Sequence, residues 1–262
     1  MTYQIAIPSY NRAEGLAAKT LPMLKRYNIA PDIITVFVAN AEEDAKYKAI
    51  LPKNMYGKIV IGEKGVMAIR NFITNYYPVD TEVVSMDDDL DGFAEAVSLE
   101  KAEPVASLKL MIKKGFALCR KHKYHVWGIY PMKNPHWMFN MVEVSTDLKF
   151  LIGHCFGFIN QKVLTHINYK EDYERSIEYA LRDGGVIRFN HICALTKFGS
   201  KGGVDKTAKE RIPTYNKEIE FLMSKYPGLV RLNPRREGEI LLSRTIKGYT
   251  GGNQEVEDHD AE

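Results

Sequence analysis

The sequence predicts an α/β fold with a mixed, mainly parallel sheet flanked by helices. In the first 92 residues, short apolar segments alternate with segments of helical periodicity in the order β-α-β-α-β-α-β. The strand segments are almost continuously apolar, which is typical of parallel strands that helices cover on both faces. Strand-like segments dominate the second half, which favours one mixed sheet.

The predicted elements follow this order along the chain. The strands of the first half are 4–8, 33–39, 58–61 and 82–86, and the helices are 13–27, 41–50 and 65–76. Those of the second half are helices 104–123, 173–181 and 206–226, and strands 126–130, 137–142, 150–159, 186–193, 229–232 and 239–242, with a Gly- and Lys-rich loop at 198–204. Right-handed crossovers place the loops that follow the first four strands along one sheet edge, where ligands bind in open α/β sheets.

The chain shows no internal repeat and no Pro/Ser-rich linker, so we expect one domain over residues 1–251. Its Rossmann-like first half spans 1–92 and its second half spans 93–251. The segment 252–262 carries five acids and no Lys or Arg, which predicts a disordered acidic tail.

The composition favours a soluble globular protein over a membrane or disulfide-stapled one. No apolar run approaches the roughly 20 residues that span a bilayer, and a strand pattern at the N-terminus leaves no room for a signal peptide. The three cysteines (Cys119, Cys155 and Cys193) are far apart and lack zinc-ligand spacing, which indicates buried, reduced thiols.

Positive charge is concentrated outside the tail. The chain has a net charge of +3, but without the tail's five acids its 36 Lys and Arg face 28 acids, a net charge of +8. Seven bases lie between residues 101 and 124, and others lie at 197–211 and 231–236. Such stretches suit a polyanionic partner, although solvated helix faces look the same.

The acidic run Met86-Asp87-Asp88-Asp89-Leu90-Asp91-Gly92 directly follows the predicted strand 82–86. Carboxylates this close repel one another, and a divalent cation with hard oxygen ligands relieves the repulsion. The run also matches the start of an EF-hand loop, but position 12 is Ser98 instead of Glu and the preceding segment is strand-like. A metal site at a strand end, using Asp87 and Asp89 with Asp88 or Asp91 nearby, is preferred over that loop and over a solvated acidic turn.

A second candidate segment is 62–71, where glycines permit a tight turn from strand to helix. The helix N-terminus offers amides to an anion, and Lys64 and Arg70 could reach a phosphate at the sheet edge. Simple solvation of these two bases is an equal alternative. The segment 199–207 is not a P-loop, since it ends in Asp-Lys-Thr where Gly-Lys-Thr is needed.

The acid pair Glu171-Asp172 opens the predicted helix at Tyr173. Asp172 is either a helix N-cap or a general base that takes a proton from an attacking hydroxyl. His191, near a strand end, is a candidate third metal ligand, with a core histidine as the alternative. Trp127 and Trp137 belong to an aromatic group after the basic helix, which suits either stacking on bases and sugars or core packing.

Together these pieces resemble the nucleotide-sugar glycosyltransferases of the GT-A fold. The segment 5–12 (IAIPSYNR) resembles their opening strand and loop, Asp87-Asp88-Asp89 looks like their DxD metal motif, 65–71 is similar to the segment that contacts donor ribose and phosphates, and Glu171-Asp172 resembles their ED pair. The four pieces occur in the family's order over residues 4–172. The resemblance therefore implies a GT-A-like fold whose half 1–92 binds a nucleotide-sugar and whose half 93–251 binds the acceptor.

Within that family, the compact size, the basic body and the PSYNR opening look most like the phage TET-associated glycosyltransferases, which modify 5-hydroxymethylcytosine in DNA. The resemblance implies an inverting enzyme with Mn²⁺ or Mg²⁺, a UDP-sugar donor and a DNA acceptor, located in the cytoplasm, or in the host cytoplasm if phage-encoded. No clear match exists for the family's C-terminal metal-ligating His, which leaves His191 as the candidate beside Asp87 and Asp89.

The implied roles extend over both halves of the chain. Asp172, with Glu171, would be catalytic. The donor-binding residues would be Pro8, Tyr10, Arg12, Asn40, Lys64, Arg70 and Asp88. The acceptor-binding residues would be Trp127, Trp137, Lys197 and Lys201. Two alternatives remain: a GT-A enzyme with a polysaccharide or protein acceptor, and a non-catalytic nucleic-acid-binding protein.

Overall fold

The computed structural model describes residues 3–196 and 208–243, together with residues 246 and 249. The predicted acidic tail, the loop 198–204, Lys197 and Lys201 lie outside these described residues.

Twelve strands and eight α-helices occur in the described ranges. The strands are β1 (Gln4–Pro8), β2 (Ile34–Val38), β3 (Lys58–Ile61), β4 (Glu82–Met86), β5 (Gly92–Ala96), β6 (Ala102–Pro104), β7 (Val126–Tyr130), β8 (Val144–Ser145), β9 (Cys155–Ile159), β10 (Ile187–Leu195), β11 (Val230–Leu232) and β12 (Ile240–Leu242). The helices are α1 (Ala13–Ala18), α2 (Thr20–Arg26), α3 (Ala41–Ile50), α4 (Val66–Tyr76), α5 (Leu108–His122), α6 (Pro135–Phe139), α7 (Glu171–Asp183) and α8 (Ala208–Lys225).

A single ten-stranded sheet joins strands from both halves of the chain. Its order is β3-β2-β1-β4-β9-β7-β10-β5-β6, and β8 pairs with β10. The ladders between β3, β2, β1 and β4 are parallel. This confirms the mixed α/β sheet and the parallel first half that the apolar strand pattern predicted.

The direction of the remaining strands decides which loops meet. Strand β9 is antiparallel to both β4 and β7, and β10 is parallel to β7. Strands β7 and β10 therefore run in the same direction as β4, and their C-terminal ends reach the same sheet edge. We call the edge that carries the C-terminal ends of β1, β2, β3, β4, β7 and β10 the upper edge.

Trp127 of β7 sets the spacing between the sheet and helix α5. It is fully buried and packs edge-on against Phe116 of α5, with ring centroids 5.7 Å apart. A Cβ atom added to Gly115 or to Gly157 would overlap the indole. Because the two glycines have no side chains, they leave the space that the indole ring of Trp127 fills in the close-packed interior.

Most predicted elements are confirmed, and the errors have local causes. Segment 137–142 was predicted as a strand, but the chain forms helix α6 there. Asn134 accepts a hydrogen bond from the Trp137 amide at 3.2 Å, and Pro135 takes the first helical position, where its fixed φ is favourable. Helix 13–27 is divided at Lys19 into α1 and α2.

Two further differences concern element ends. The predicted helix 104–123 begins only at Leu108, where Ser107 caps it, because a short strand pair (β5 and β6) precedes it. The predicted strand 150–159 begins only at Cys155. Among the described residues, no helix is both long enough and apolar enough to cross a membrane.

Candidate functional site

The acidic run lies at the centre of the upper edge, directly after β4. The amide of Asp87 donates to the carbonyl of His154, the residue before β9, at 2.9 Å. The Thr20 hydroxyl donates to the Asp87 carbonyl at 3.0 Å and accepts from the Leu90 amide at 2.9 Å. Backbone and side-chain bonds on both sides therefore fix the run in place.

Asp87 is bound by Arg70, a residue of helix α4. Nη2 of Arg70 donates to Oδ1 of Asp87 at 2.7 Å and to the Gly153 carbonyl at 2.9 Å, while Nη1 donates to the Ser85 hydroxyl. Arg70 is 9% exposed, whereas the Asp87 side chain is 36% exposed. Asp87 thus presents its carboxylate to solvent from a rigid support.

Asp88 points inward and ties the acidic run to the loop after β1. It accepts hydrogen bonds from the Ser9 hydroxyl at 2.5 Å and from Nη1 of Arg12 at 3.1 Å. Ser9 is in turn 2.7 Å from the Tyr47 hydroxyl of α3. Burial raises the pKa of Asp88 to about 6, which the Ser9 and Arg12 bonds partly offset.

Asp89 contacts both the loop after β1 and the end of β10. Its Oδ2 accepts from Nη1 of Arg12 at 3.2 Å, and its Oδ1 accepts from the Thr196 hydroxyl at 3.1 Å. Arg12 therefore bridges Asp88 and Asp89, and Thr196 joins Asp89 to the end of β10. These contacts bring five predicted site residues into one cluster: Arg12, Arg70, Asp87, Asp88 and Asp89.

The acid pair opens helix α7 beside this cluster. Glu171 is buried and forms an ion pair with Arg175 one turn later, and its Oε1 lies 3.9 Å from Nε of Arg70. Asp172 is half-buried, and its Oδ1 accepts from the Tyr173 amide at 3.0 Å. Burial and the neighbouring Glu171 charge raise the pKa of Asp172 to about 7, which suits a general base near neutral pH.

Arg175 is a site residue that the sequence interpretation missed. Its guanidinium is buried, lies 3.6 Å from the centroid of the Phe156 ring, and holds Glu171. The signal for it was present, since a base four residues after an acid on a helix commonly pairs with it. Arg70 and Arg175 lie on either side of Glu171 and compensate its charge.

Metal-ligand candidates are fewer than the sequence suggested. Within residues 3–196 and 208–243, no group of three or more His, Cys, Asp or Glu could hold a metal ion. His191 hydrogen-bonds to the Met141 carbonyl at 2.9 Å and stacks on Phe139, so the structure does not bring it to Asp87 and Asp89. It places His154 beside them instead, buried and with its pKa lowered by that burial.

Two carboxylates nevertheless fit a hard divalent cation. Mg²⁺ is usually held by one or two carboxylates plus substrate phosphates and water, and Asp87 and Asp89 offer that donor set. Each is now paired with an arginine. A cation with its diphosphate would therefore find both the carboxylates and the guanidinium groups that bind phosphate.

The predicted donor-binding residues lie at the ends of the parallel strands. The Lys64 ammonium, after β3, is 4.8 Å from the centroid of the Tyr10 ring, after β1. Pro8 ends β1, and its register partner in β2 is Phe37. Asn40, after β2, caps α3 by accepting from the Glu43 amide at 2.9 Å, which leaves its side chain partly committed.

The predicted acceptor residues are not brought together. Trp127 is fully buried in the core and presents no face to a ligand, so its assignment as an acceptor contact is wrong. Trp137 on α6 is 61% exposed. Met132 and Phe139, which lie within five residues of it along the chain, are also exposed.

Comparison with known proteins gives a fold. No protein-family profile and no curated protein sequence matches the chain. Among solved structures, the mannosyltransferase PcManGT from Pyrobaculum calidifontis, in complex with GDP-Man and Mn²⁺, superposes with a TM-score of 0.52 and 13% identity over 85% of this chain and 64% of that one. The fold is of the GT-A type.

Two further matches are looser. S. aureus TarS 1–349 in complex with UDP has a TM-score of 0.47 and 12% identity over 85% of this chain and 66% of that one. A 4-diphosphocytidyl-2C-methyl-D-erythritol synthase from Anaerococcus prevotii has a TM-score of 0.41 and 13% identity over 83% and 96%. The chain thus spans less than two thirds of PcManGT and of TarS 1–349.

Proposed function

We propose that this protein is a metal-dependent, inverting glycosyltransferase that moves a sugar from a UDP-sugar to a hydroxymethylated pyrimidine in DNA. One observation carries the proposal: Arg70 contacts Asp87 of the acidic run and approaches Glu171 of the acid pair. Asp87 and Asp89, a carboxylate pair that suits a metal ion with its bound diphosphate, therefore lie at the same edge of a GT-A fold as Asp172, whose pKa is raised to about 7.

The donor would bind along the upper edge over the ends of β1, β2 and β3. Tyr10 and Asn40 would then lie near the nucleoside, and Lys64 and Arg70 would contact the diphosphate. Mn²⁺ or Mg²⁺, held by Asp87 and Asp89, would neutralise the charge that develops on the departing diphosphate. Arg12, which contacts Asp89, supplies further positive charge at the same point.

Asp172 would take the proton of the acceptor hydroxyl. A carboxyl group with a pKa near 7 is largely deprotonated just above neutral pH and still basic enough to accept a proton. As the hydroxyl oxygen attacks the anomeric carbon, the proton passes to Asp172 and the sugar–phosphate bond breaks. Attack opposite the leaving diphosphate inverts the anomeric centre.

The DNA acceptor is supported by charge. Exposed lysines of helix α5, including Lys109 and Lys113, form a basic face, and the chain outside its acidic tail is strongly basic. Lysine side chains of this kind bind DNA phosphates without sequence preference. A nucleobase that reaches a site at the sheet edge would have to be flipped out of the duplex or lie in single-stranded DNA.

The decisive experiment incubates the protein with Mn²⁺, a panel of UDP-sugars, and DNA with or without 5-hydroxymethylcytosine. Mass spectrometry of the digested nucleosides should show one hexose or pentose increment on the hydroxymethylated base alone. DNA binding should weaken steeply with salt, because each phosphate contact releases counterions. Transfer to a polysaccharide or protein with no increment on DNA would replace the DNA acceptor, and retention of anomeric configuration would remove Asp172 as the base.

A further inference from the structure

An open cavity of about 310 Å³ lies beyond Asp89 and has no role in the site described so far. It is lined by Asp91, Pro131, Met132, Lys133, Ala194, Leu195 and Thr196. Its residues come from the ends of three strands: the segment after β7, the end of β10 and the residue before β5. A volume of this size holds a small ring compound.

The topology places this cavity on the upper edge, on the side of the acidic run opposite the donor residues. Strands β7 and β10 run parallel to each other and in the direction of β4, so the loops after them open where Asp87 and Asp89 lie. The parallel strands β1, β2 and β3 lie on the other side of β4 in the sheet order. A donor bound over β1–β3 therefore leaves the cavity free for a second substrate.

Thr196 connects the cavity to the acidic run directly. Thr196 lines the cavity, and its hydroxyl donates to Oδ1 of Asp89 at 3.1 Å. The amide of Asp91 is in turn bonded to the carbonyl of Leu195 at 2.8 Å, so the cavity wall and the acidic run form one continuous structure. A ligand in the cavity would lie next to the anomeric end of a donor held at Asp87 and Asp89.

The lining has the chemistry of a nucleotide site. Pro131, Met132, Ala194 and Leu195 supply apolar walls, which suit the faces of a flat ring. Oδ2 of Asp91 is paired with the Lys19 ammonium at 3.6 Å, and Oδ1 can accept from an exocyclic amino group such as that of cytosine. Lys133 is exposed and makes no hydrogen bond or ion pair with any residue that the structure describes, so its ammonium group is available to a phosphate.

We infer that this cavity is the acceptor subsite and that it takes a pyrimidine nucleotide, with the ring against Met132 and the phosphate on Lys133. The inference rests on the proposed function, because only a transferase needs a second substrate beside the donor. It replaces the buried Trp127 as the acceptor contact.

The test is a calorimetric titration of the protein with 5-hydroxymethyl-2′-deoxycytidine monophosphate in the presence of UDP and Mn²⁺. Met132→Trp fills the cavity and should weaken nucleotide binding about tenfold or more, while UDP binding stays within about twofold. Lys133→Ala should weaken binding of the monophosphate about threefold or more and leave the unphosphorylated nucleoside unaffected. Leu110→Trp is the matched control, because Leu110 is 66% exposed on helix α5 and should change neither affinity.

Several results would overturn the inference. One is a wild-type protein that binds UDP but not the nucleotide at millimolar concentration, and another is a Met132→Trp variant with unchanged nucleotide affinity. A Met132→Trp variant that loses UDP-sugar binding but keeps UDP binding would show that the cavity takes the donor sugar. Failure to bind UDP or any UDP-sugar would instead contradict the proposed function, and the nucleotide titration would still decide what the cavity binds.

Discussion

Arg70 lies 2.7 Å from Oδ1 of Asp87 through Nη2 and 3.9 Å from Oε1 of Glu171 through Nε. The buried guanidinium group of Arg70 therefore links the acidic run after β4 with the acid pair at the start of α7. Because Arg175 holds the other oxygen of Glu171, acidic and basic side chains alternate from Asp87 to Arg175. Such a set is stable only when it is complete, since removing one member leaves a buried charge uncompensated.

Arg70→Ala should therefore lower the free energy of unfolding by about 3–5 kcal/mol. Lys114→Ala is the control, because the side chains of Lys114 and of its partner Glu143 are 52% and 57% exposed. Its cost should stay within about 1 kcal/mol. Urea unfolding measures both, and equal small losses would show that the buried pairing contributes little to stability.

Asp87→Asn and Asp89→Asn should each reduce sugar transfer about 100-fold or more, since each removes a charged ligand from the diphosphate site. Their UDP affinity in Mn²⁺ should fall as well, whereas affinity without metal should change little. Asp80→Asn is the control: Asp80 precedes β4 at the opposite edge, is exposed, and bonds to Gln161. Full transfer activity in Asp89→Asn would remove the metal role assigned to that residue.

The rate of transfer should rise with pH through about 7, because burial and Glu171 raise the pKa of Asp172 to that value and its base form must be deprotonated. The folded state binds a proton that the unfolded state has released above its usual pKa of 3.8. The contribution of Asp172 to stability is therefore lost as pH rises from about 4 to 7. Asp172→Asn should reduce transfer about 100-fold or more and flatten both profiles, and an unchanged acid limb in the residual rate would assign that limb to another group.

Trp127→Ala should destabilise the fold by about 3–5 kcal/mol, because it empties the volume between Gly115 and Gly157. Trp137→Ala should change stability by no more than about 0.5 kcal/mol, because that ring is mostly exposed. Thermal unfolding of the two variants compares them directly. A large loss for Trp137→Ala would mean that the exposed ring packs against something in solution.

Glu218→Ala should lower transfer activity although Glu218 lies on helix α8, away from the acidic run. Its carboxylate accepts from the amides of Asn168, Tyr169 and Lys170, the three residues before Glu171, at 2.9–3.2 Å. Without it the start of α7 loses its support, and kcat should fall while UDP affinity stays constant. Glu220→Ala, an exposed position on the same helix, serves as the control, and equal kcat values for the two would exclude this support.

Local sequence signals predicted the parallel first half of the fold well. Apolar runs such as 82–86 are long enough to identify a buried strand, and the acids after them mark its end. The position of Arg70 one turn into α4 likewise made reach to the sheet edge one of two alternatives, and its bond to Asp87 decides for that reach. In these cases the information lies within about a dozen neighbouring residues.

The second half depends on contacts that the sequence does not express locally. Trp127 and Trp137 look alike in the sequence, yet one fills the space over two distant glycines and the other lies on a five-residue helix. His154 reaches Asp87 because β9 pairs with β4 across a separation of about 70 residues. The sequence analysis instead proposed His191 because it lies near a strand end, and the structure shows it bonded to the Met141 carbonyl.

Strand β9 has a consequence for motion. Because β9 is antiparallel to β4, Gly153 and His154, which precede β9, lie beside Asp87, which follows β4. Hydrogen bonds of the β4–β9 ladder join the two segments. The centre of the upper edge is therefore held at a distance set by sheet geometry, independent of any ligand. Substrate-induced movement should be confined to the flanks around Lys64 and Lys133, which no strand pairing restrains, and hydrogen exchange should slow there on binding while the amides of β4 and β9 remain unchanged.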